Sequence, residues 1–305
     1  MGYVSQDAQI RFGLVGTGYW ARLAHARALA STPGVALTAV WGRNQEAAAA
    51  LAAGFGATAR PDFDAFLAEV DAVAFAVPPD VQNELAIRAA AAGRHLLLEK
   101  PVALSADAAD ALAAAVETSG VASVVFFTAR FQPATRAWLR EVTEAGGWAG
   151  GSAIWLGSVY SPSSPFNTPW RREKGGLWDL GPHAVSVLWP ILGPVRHVTA
   201  DRGRGDLTYL VLHHEGGATS TATLTLGAPE AADSFTLQVW GEHGVQTMPG
   251  LASDPVDALR AAVAELAANA RAGESGHQVD VRFGRDVTHV LAAAQRQLDA
   301  RRVEH

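Results

Sequence analysis

The chain has 305 residues, 49% hydrophobic and 18% charged, with a net charge of −6 and no cysteine. That length favours two domains, and the missing cysteines exclude disulfides, thiolate zinc sites and cysteine nucleophiles. The acidic balance, with no Lys/Arg-rich stripe, argues against nucleic acid and anionic membrane as partners. No apolar run has membrane-spanning length, and the start "MGYVSQDAQI" lacks a secretory pattern, so a cytoplasmic globular protein is expected.

The first third alternates between two periods. "IRFGLVG" (Ile10 to Gly16) is a short apolar run ending in glycine, and "YWARLAHARALA" follows with helical spacing. "VALTAVWG" (Val35 to Gly42) predicts a strand and "NQEAAAALAAGFG" a helix closed by glycine. "DAVAFAVPP" (Asp71 to Pro79), "RHLLLEKP" and "VASVVFF" (Val121 to Phe127) predict three more strands. Between them lie the helices "VQNELAIRAAAAG" and "SADAADALAAAVETSG", the latter opened by Ser105 as a cap. Val/Leu/Phe-rich strands alternating with helices predict a doubly wound parallel sheet covered on both faces, with ligands beyond the carboxyl ends of the strands.

The second half has another texture. "SAIWLGSVY", "LTYLVLHHE", "ATSTATLTLG" and "SFTLQVWG" predict a mainly antiparallel open sheet with one exposed face. A helical patch runs from Gly175 to Gly193, a second from Pro255 to about Ala272, and a last from Phe283 to Arg302. The expected division is a dinucleotide-binding domain over 1–122 and a substrate and oligomerisation domain over 123–305, with the last helix (about 283–302) packing back on the first.

Three places carry chemistry. "GTGYWA" (Gly16 to Ala21) fits G-x-G-x-x-A between the first strand and the first helix, where backbone amides of Gly16, Thr17, Gly18, Tyr19 and Trp20 would hold a pyrophosphate. The second strand ends in Trp41-Gly42-Arg43-Asn44 without the acid that usually meets the adenosine ribose of NAD. Arg43 could stack on adenine or grip a 2′-phosphate, so NADP(H) is favoured and NAD(H) is the alternative. In "GGLWDLGPH", Asp179 and His183 are four apart, which places them on one helical face near a first turn marked by Pro182. An aspartate beside a histidine fixes its tautomer and raises its basicity, giving a proton acceptor near neutral pH. Taken alone, Asp179 serves as well as a helix cap and His183 as a core histidine. The end of the fifth strand, Glu99-Lys100, delivers two charges just before Pro101 stops the ladder.

"GLVGTGYWA", "AVPPDVQNELAIRAAAAGRHLLLEKPVAL" and "GGLWDLGPH", with "ARFQP" (Ala129 to Pro133) between them, resemble the Gfo/Idh/MocA oxidoreductases over essentially the whole chain. The resemblance implies an NAD(P)-dependent enzyme interconverting a hydroxyl and a carbonyl on a sugar, cyclitol or related polyol. It implies that Lys100 reaches between nicotinamide and substrate, that Glu99 and Pro78 lie near the cofactor, and that Pro101 fixes the geometry through a cis bond. It matches Asp179 and His183 to the family's D-x-G-x-H pair, with His183 exchanging the hydroxyl proton. Arg130 falls in the matched junction and is a candidate substrate contact.

There are departures. The family often has histidine where Gln82 stands, and the sheet domain is short. The Pro/Ser-rich segment from Ser161 to Glu173 could cover a pocket, and Trp155, Trp170 and Arg171 could stack on a sugar or bind an anionic group, although packing or solvated surface is the commoner role of each. No metal site is expected. A homodimer or homotetramer through the second-half sheet is expected, because the outward positions of "TYLVLHHE" and "ATSTATLTLG" are poor in charge. The alternatives in function are a non-catalytic dinucleotide-binding regulator on the same fold and a reductase of a non-sugar carbonyl or C=N bond.

Overall fold

A computed structural model describes residues 9–251 and 254–303. Its contacts group the chain into two units, Met1–Phe131 with Ser253–Arg285, and Gln132–Ala252 with Asp286–His305.

The first unit runs β1 (Ile10–Val15), a π turn (Ala21–His25), α1 (Ala26–Ser31), β2 (Val35–Trp41), α2 (Gln45–Gly54), β3 (Thr58–Ala59), α3 (Phe63–Ala68), β4 (Ala72–Phe75), α4 (Pro79–Ala91), β5 (His95–Glu99), α5 (Ala106–Ser119), β6 (Ser123–Phe126) and α6 (Thr128–Phe131). Its sheet has the order β3-β2-β1-β4-β5-β6 with every pairing parallel. Helices on both faces explain the unbroken apolar strands: Phe12, Leu14, Val73, Phe75, Leu96, Leu97, Leu98 and Val124 are all fully buried. Each such side chain contributes about 1.5–3 kcal/mol on leaving water. Arg11, the one exposed residue of β1, pairs with Asp71 at 2.6 Å. Side-chain oxygens of Asn44, Asp62 and Ser105 accept from free amides at the starts of α2, α3 and α5.

The second unit runs α7 (Pro133–Ala145), β7 (Trp148–Leu156), α8 (Pro169–Asp179), α9 (Gly181–Leu192), β8 (Val195–Arg202), β9 (Thr208–His214), β10 (Thr219–Thr225), β11 (Ser234–Gly241) and β12 (Gly244–Thr247). The chain then returns to the first unit with α10 (Pro255–Ala272), and α11 (Val281–Val303) begins in the first unit and ends in the second. The order of this sheet is β12-β11-β7-β10-β9-β8, antiparallel except between β7 and β10. One face is covered by α9, whose Ala184, Val185, Val187 and Leu188 are buried. The other carries Ile154, Tyr209, Trp240 and Val245, 40–62% exposed. No described helix is long and apolar enough to cross a membrane.

The helical patch expected from Gly175 to Gly193 is two helices. Gly175 (φ +67°) breaks α8 internally, and a turn at Leu180 separates α8 from α9. Asp179 therefore ends one helix and His183 lies in the first turn of the next, with Pro182 at the tolerated N-terminal position.

Candidate functional site

Two constellations stand at the ends of these elements, one in each unit. In the first, the turn after β1 contains two glycines with different reasons to be glycine. Gly16 has φ +122°, and a Cβ there would run into the Ala76 carbonyl oxygen, so the fold itself requires it. A Cβ on Gly18 would meet nothing within 4 Å. No described neighbour demands that glycine, so the backbone there is open to close approach by a ligand, as the second glycine of a dinucleotide turn has to be. The helix begins directly after it, at Tyr19, so the positive end of its dipole favours an anion at the same place. The turn thus fits a dinucleotide pyrophosphate.

Thr17 packs against Gly42 at the end of β2, where a Cβ would sit 2.7 Å from Thr17 Cγ2, and its carbonyl accepts from Arg22 Nη1 at 2.8 Å. Arg43 is exposed beside it, and Asn44 is occupied capping α2. Tyr19 is 41% exposed, and Pro78 caps α4. Trp20 instead turns inward, and its Nε1 donates to Glu99 Oε1 at 2.7 Å. His25, fully buried, places Nε2 2.9 Å from the same oxygen. A carboxylate oxygen can only accept, so Nε2 carries the proton. Lys100 follows β5 directly, and the Lys100–Pro101 bond is cis. The guanidinium of Arg130, on α6, stands over the Phe283 ring.

In the second unit, Trp155, Arg171, Asp179 and His183 come together from β7, α8 and α9. Arg171 Nε donates to Asp179 Oδ2 at 2.8 Å, and the His183 ring lies 5.3 Å from that of Trp155. Phe235 backs Trp155 at 4.4 Å. Trp170 and Phe166 flank the Arg171 guanidinium at 4.8 and 5.5 Å, a cation–π setting that fixes its direction. Asp179 and His183 are 6% and 8% exposed. An ion pair and an imidazole so placed cost desolvation that an apolar core would avoid, which makes the cluster a candidate functional site.

Sequence reasoning missed what holds this cluster. Asp206, in the turn between β8 and β9, accepts from the amides of Gly176, Leu226 and Gly227 at 3.2, 2.8 and 3.2 Å and from the Thr225 hydroxyl. The Tyr160 hydroxyl lies 2.9 Å from the Arg171 carbonyl and 3.2 Å from Asp206 Oδ2. Burial, and then the Asp206 carboxylate, push the Tyr160 phenol well above its ordinary range. One aspartate thereby ties the kinked start of the Asp179 helix to the end of β10. A lone Asp in a Gly-rich turn gives no sequence signal for that.

Comparison with known proteins bears on the family and the fold. The model described as "Oxidoreductase family, NAD-binding Rossmann fold" matches residues 10–127, and the "GFO/IDH/MocA C-terminal domain" matches 151–247. The chain belongs to the Gfo/Idh/MocA oxidoreductase family. It is similar to human "Glucose-fructose oxidoreductase domain-containing protein 2", 27% identical over 248 residues, 72% of this chain and 62% of that protein. This chain therefore spans less than two thirds of that relative. It is similar over nearly full length to "dTDP-3,4-didehydro-2,6-dideoxy-alpha-D-glucose 3-reductase" of Streptomyces violaceoruber, 28% identical over 329 positions, 96% of this chain and 95% of that one. Among solved structures, GenD2 from gentamicin A biosynthesis, in complex with NAD, shares the fold with a TM-score of 0.83 and 23% identity, covering 98% of this chain and 96% of that one.

Proposed function

We propose that the chain uses NADP(H), in preference to NAD(H), to interconvert a hydroxyl and a carbonyl on a sugar, cyclitol or related small polyol. The observation that carries this is the cluster of Trp155, Arg171, Asp179 and His183, which pairs a buried imidazole with an oriented ion pair and an aromatic face. A sugar ring offers an apolar face for an indole and hydroxyls for charged groups. The relatives named for glucose–fructose oxidoreductase and for a dTDP-sugar reductase support that substrate class.

The nicotinamide supplies the hydride acceptor or donor. The chain's own part is to hold it and to manage one proton. Gly16, Thr17 and Gly18 hold the pyrophosphate, and Arg43 meets the adenosine side. The Lys100 ammonium donates a hydrogen bond to the reacting oxygen, stabilising the charge that develops there. His183 takes the hydroxyl proton in oxidation and returns it in reduction. Asp179 holds Arg171 toward the substrate hydroxyls.

The test is a panel of sugars, nucleotide sugars and cyclitols with NADP⁺ and NAD⁺, followed by absorbance of the reduced nicotinamide. Turnover with a polyol supports the reading, and NAD(P) binding with no turnover across the panel favours the regulator instead. The exposed face bearing Ile154, Tyr209, Trp240 and Val245 supports a homodimer or homotetramer through this sheet, for which a monomeric mass by light scattering is the contrary result.

A further inference from the structure

Gln82, on α4, is fully buried, and its carboxamide is spent entirely on the backbone around Lys100. The β4–β5 ladder ends at Ala74↔Leu97. Beyond it, Gln82 stands where another strand residue would. Its Oε1 accepts from the Glu99 amide at 2.8 Å, and its Nε2 donates to the Glu99 carbonyl at 2.8 Å and to the Pro101 carbonyl at 3.4 Å. Two carbonyls around one amide end fix its orientation, since only the NH₂ end can face both. The three groups so held lie immediately before and after Lys100. On the side-chain side of Glu99, Trp20 and His25 converge on Oε1, and His25 belongs to the π turn, a helix irregularity frequent at functional sites.

We propose that Gln82 is a positioning residue for Lys100: its carboxamide completes the sheet where the neighbouring strand has stopped and sets the direction in which the lysine leaves β5. A side chain leaves the backbone along a direction fixed by local φ and ψ, so holding Glu99 and Pro101 holds the lysine between them. A histidine at this position offers one ring donor and one ring acceptor when neutral and cannot serve all three groups at once. The inference rests on the reading of Lys100 as the group that meets the reacting oxygen.

The chain has two lysines, Lys100 and Lys174, so lysine labelled with ¹³C at Cε in the Lys174→Arg protein gives one NMR signal, that of Lys100. In Gln82→Met, of similar length but without the amide, that signal is expected to move in the free protein. Turnover is expected to fall roughly 10- to 100-fold with KM within about threefold, the size of a misplaced catalytic group. Gln82→Glu keeps shape and acceptor but loses both donors while ionised, and protonation returns one. Its turnover relative to the unsubstituted protein should therefore rise as pH falls, while that of Gln82→Met stays flat. An unmoved Lys100 signal in folded Gln82→Met, turnover within about threefold of the parent, or a flat Gln82→Glu ratio would each overturn the proposal. The free-protein signal needs neither cofactor nor substrate, so a failure of the oxidoreductase reading leaves this test decisive.

Discussion

Arg171 Nε lies 2.8 Å from Asp179 Oδ2, with the two side chains 18% and 8% exposed. The aspartate of the D-x-G-x-H pair is thus engaged by an arginine eight residues before it, and that arginine is itself flanked by Trp170 and Phe166. Removing one partner breaks a part-buried ion pair. Arg171→Ala is expected to cost about 3 kcal/mol of stability, in line with broken buried pairs. The double variant Arg171→Ala/Asp179→Asn should recover part of that loss. Urea denaturation of the single and double variants checks it, and additive losses would show the pair to be uncoupled.

The two glycines of the cofactor turn should respond differently. Gly16→Ala forces a side chain into φ +122° against a carbonyl and is expected to lower stability by about 1–3 kcal/mol. Gly18→Ala should leave stability unchanged and weaken NADPH binding at least about tenfold, roughly 1.4 kcal/mol. Thermal denaturation and fluorescence titration separate the two effects. Normal NADPH affinity in Gly18→Ala would place the dinucleotide elsewhere.

Arg43 is exposed at the end of β2, where no carboxylate stands. NADPH is expected to bind more tightly than NADH, and Arg43→Ala should remove about tenfold of NADPH affinity, a charge-assisted contact, while sparing NADH. Calorimetric titration of both cofactors decides it. Equal affinities in the parent protein would take Arg43 out of the account.

His95, at the start of β5, accepts the Ala122 amide on Nδ1 at 3.0 Å. Burial, chiefly, pushes its pKa below the ordinary 6.5, against the opposing pull of Asp71. With the folded value below the unfolded one, the unfolded chain takes the proton first. The histidine's contribution is therefore complete above about pH 6.5 and lost as pH falls through the folded value. His95→Asn keeps an acceptor and does not titrate, so its melting temperature should fall less than the parent's between about pH 7 and pH 5. Equal falls would show that other groups set the acid limit.

The sequence carried most of this fold and part of the site. Apolar runs ending in Gly16, Pro79 and Glu99-Lys100 announced a parallel sheet because both faces of its strands are buried, and the G-x-G-x-x-A turn sat in the context that makes it specific. Pairing across long separations was not legible. The parallel β7–β10 contact pairs residues such as Gly150 and Thr219, far apart in sequence, and the five donors converging on Asp206 come from separate stretches of the chain, at Tyr160, at Gly176 and from Thr225 to Gly227. The kink at Gly175 was hidden in a continuous helical period, since a glycine pair reads alike as flexible helix and as break. Gln82 was visible only as a departure from the family. Its bonds to Glu99 and Pro101 follow from where β4 stops, which periodicity places only loosely.

Lys100 and His183 carry the central claim, that the chain performs acid–base chemistry on a hydroxyl during hydride transfer. The direct measurement is turnover of Lys100→Ala and His183→Ala on the substrate found in the panel, with NADPH affinity and circular dichroism measured on the same preparations. Each variant is expected to lose roughly 10²–10⁴ in turnover, the range of general acid–base contributions, with His183→Ala binding NADPH as the parent does. Near-parental turnover in both folded variants would contradict the account.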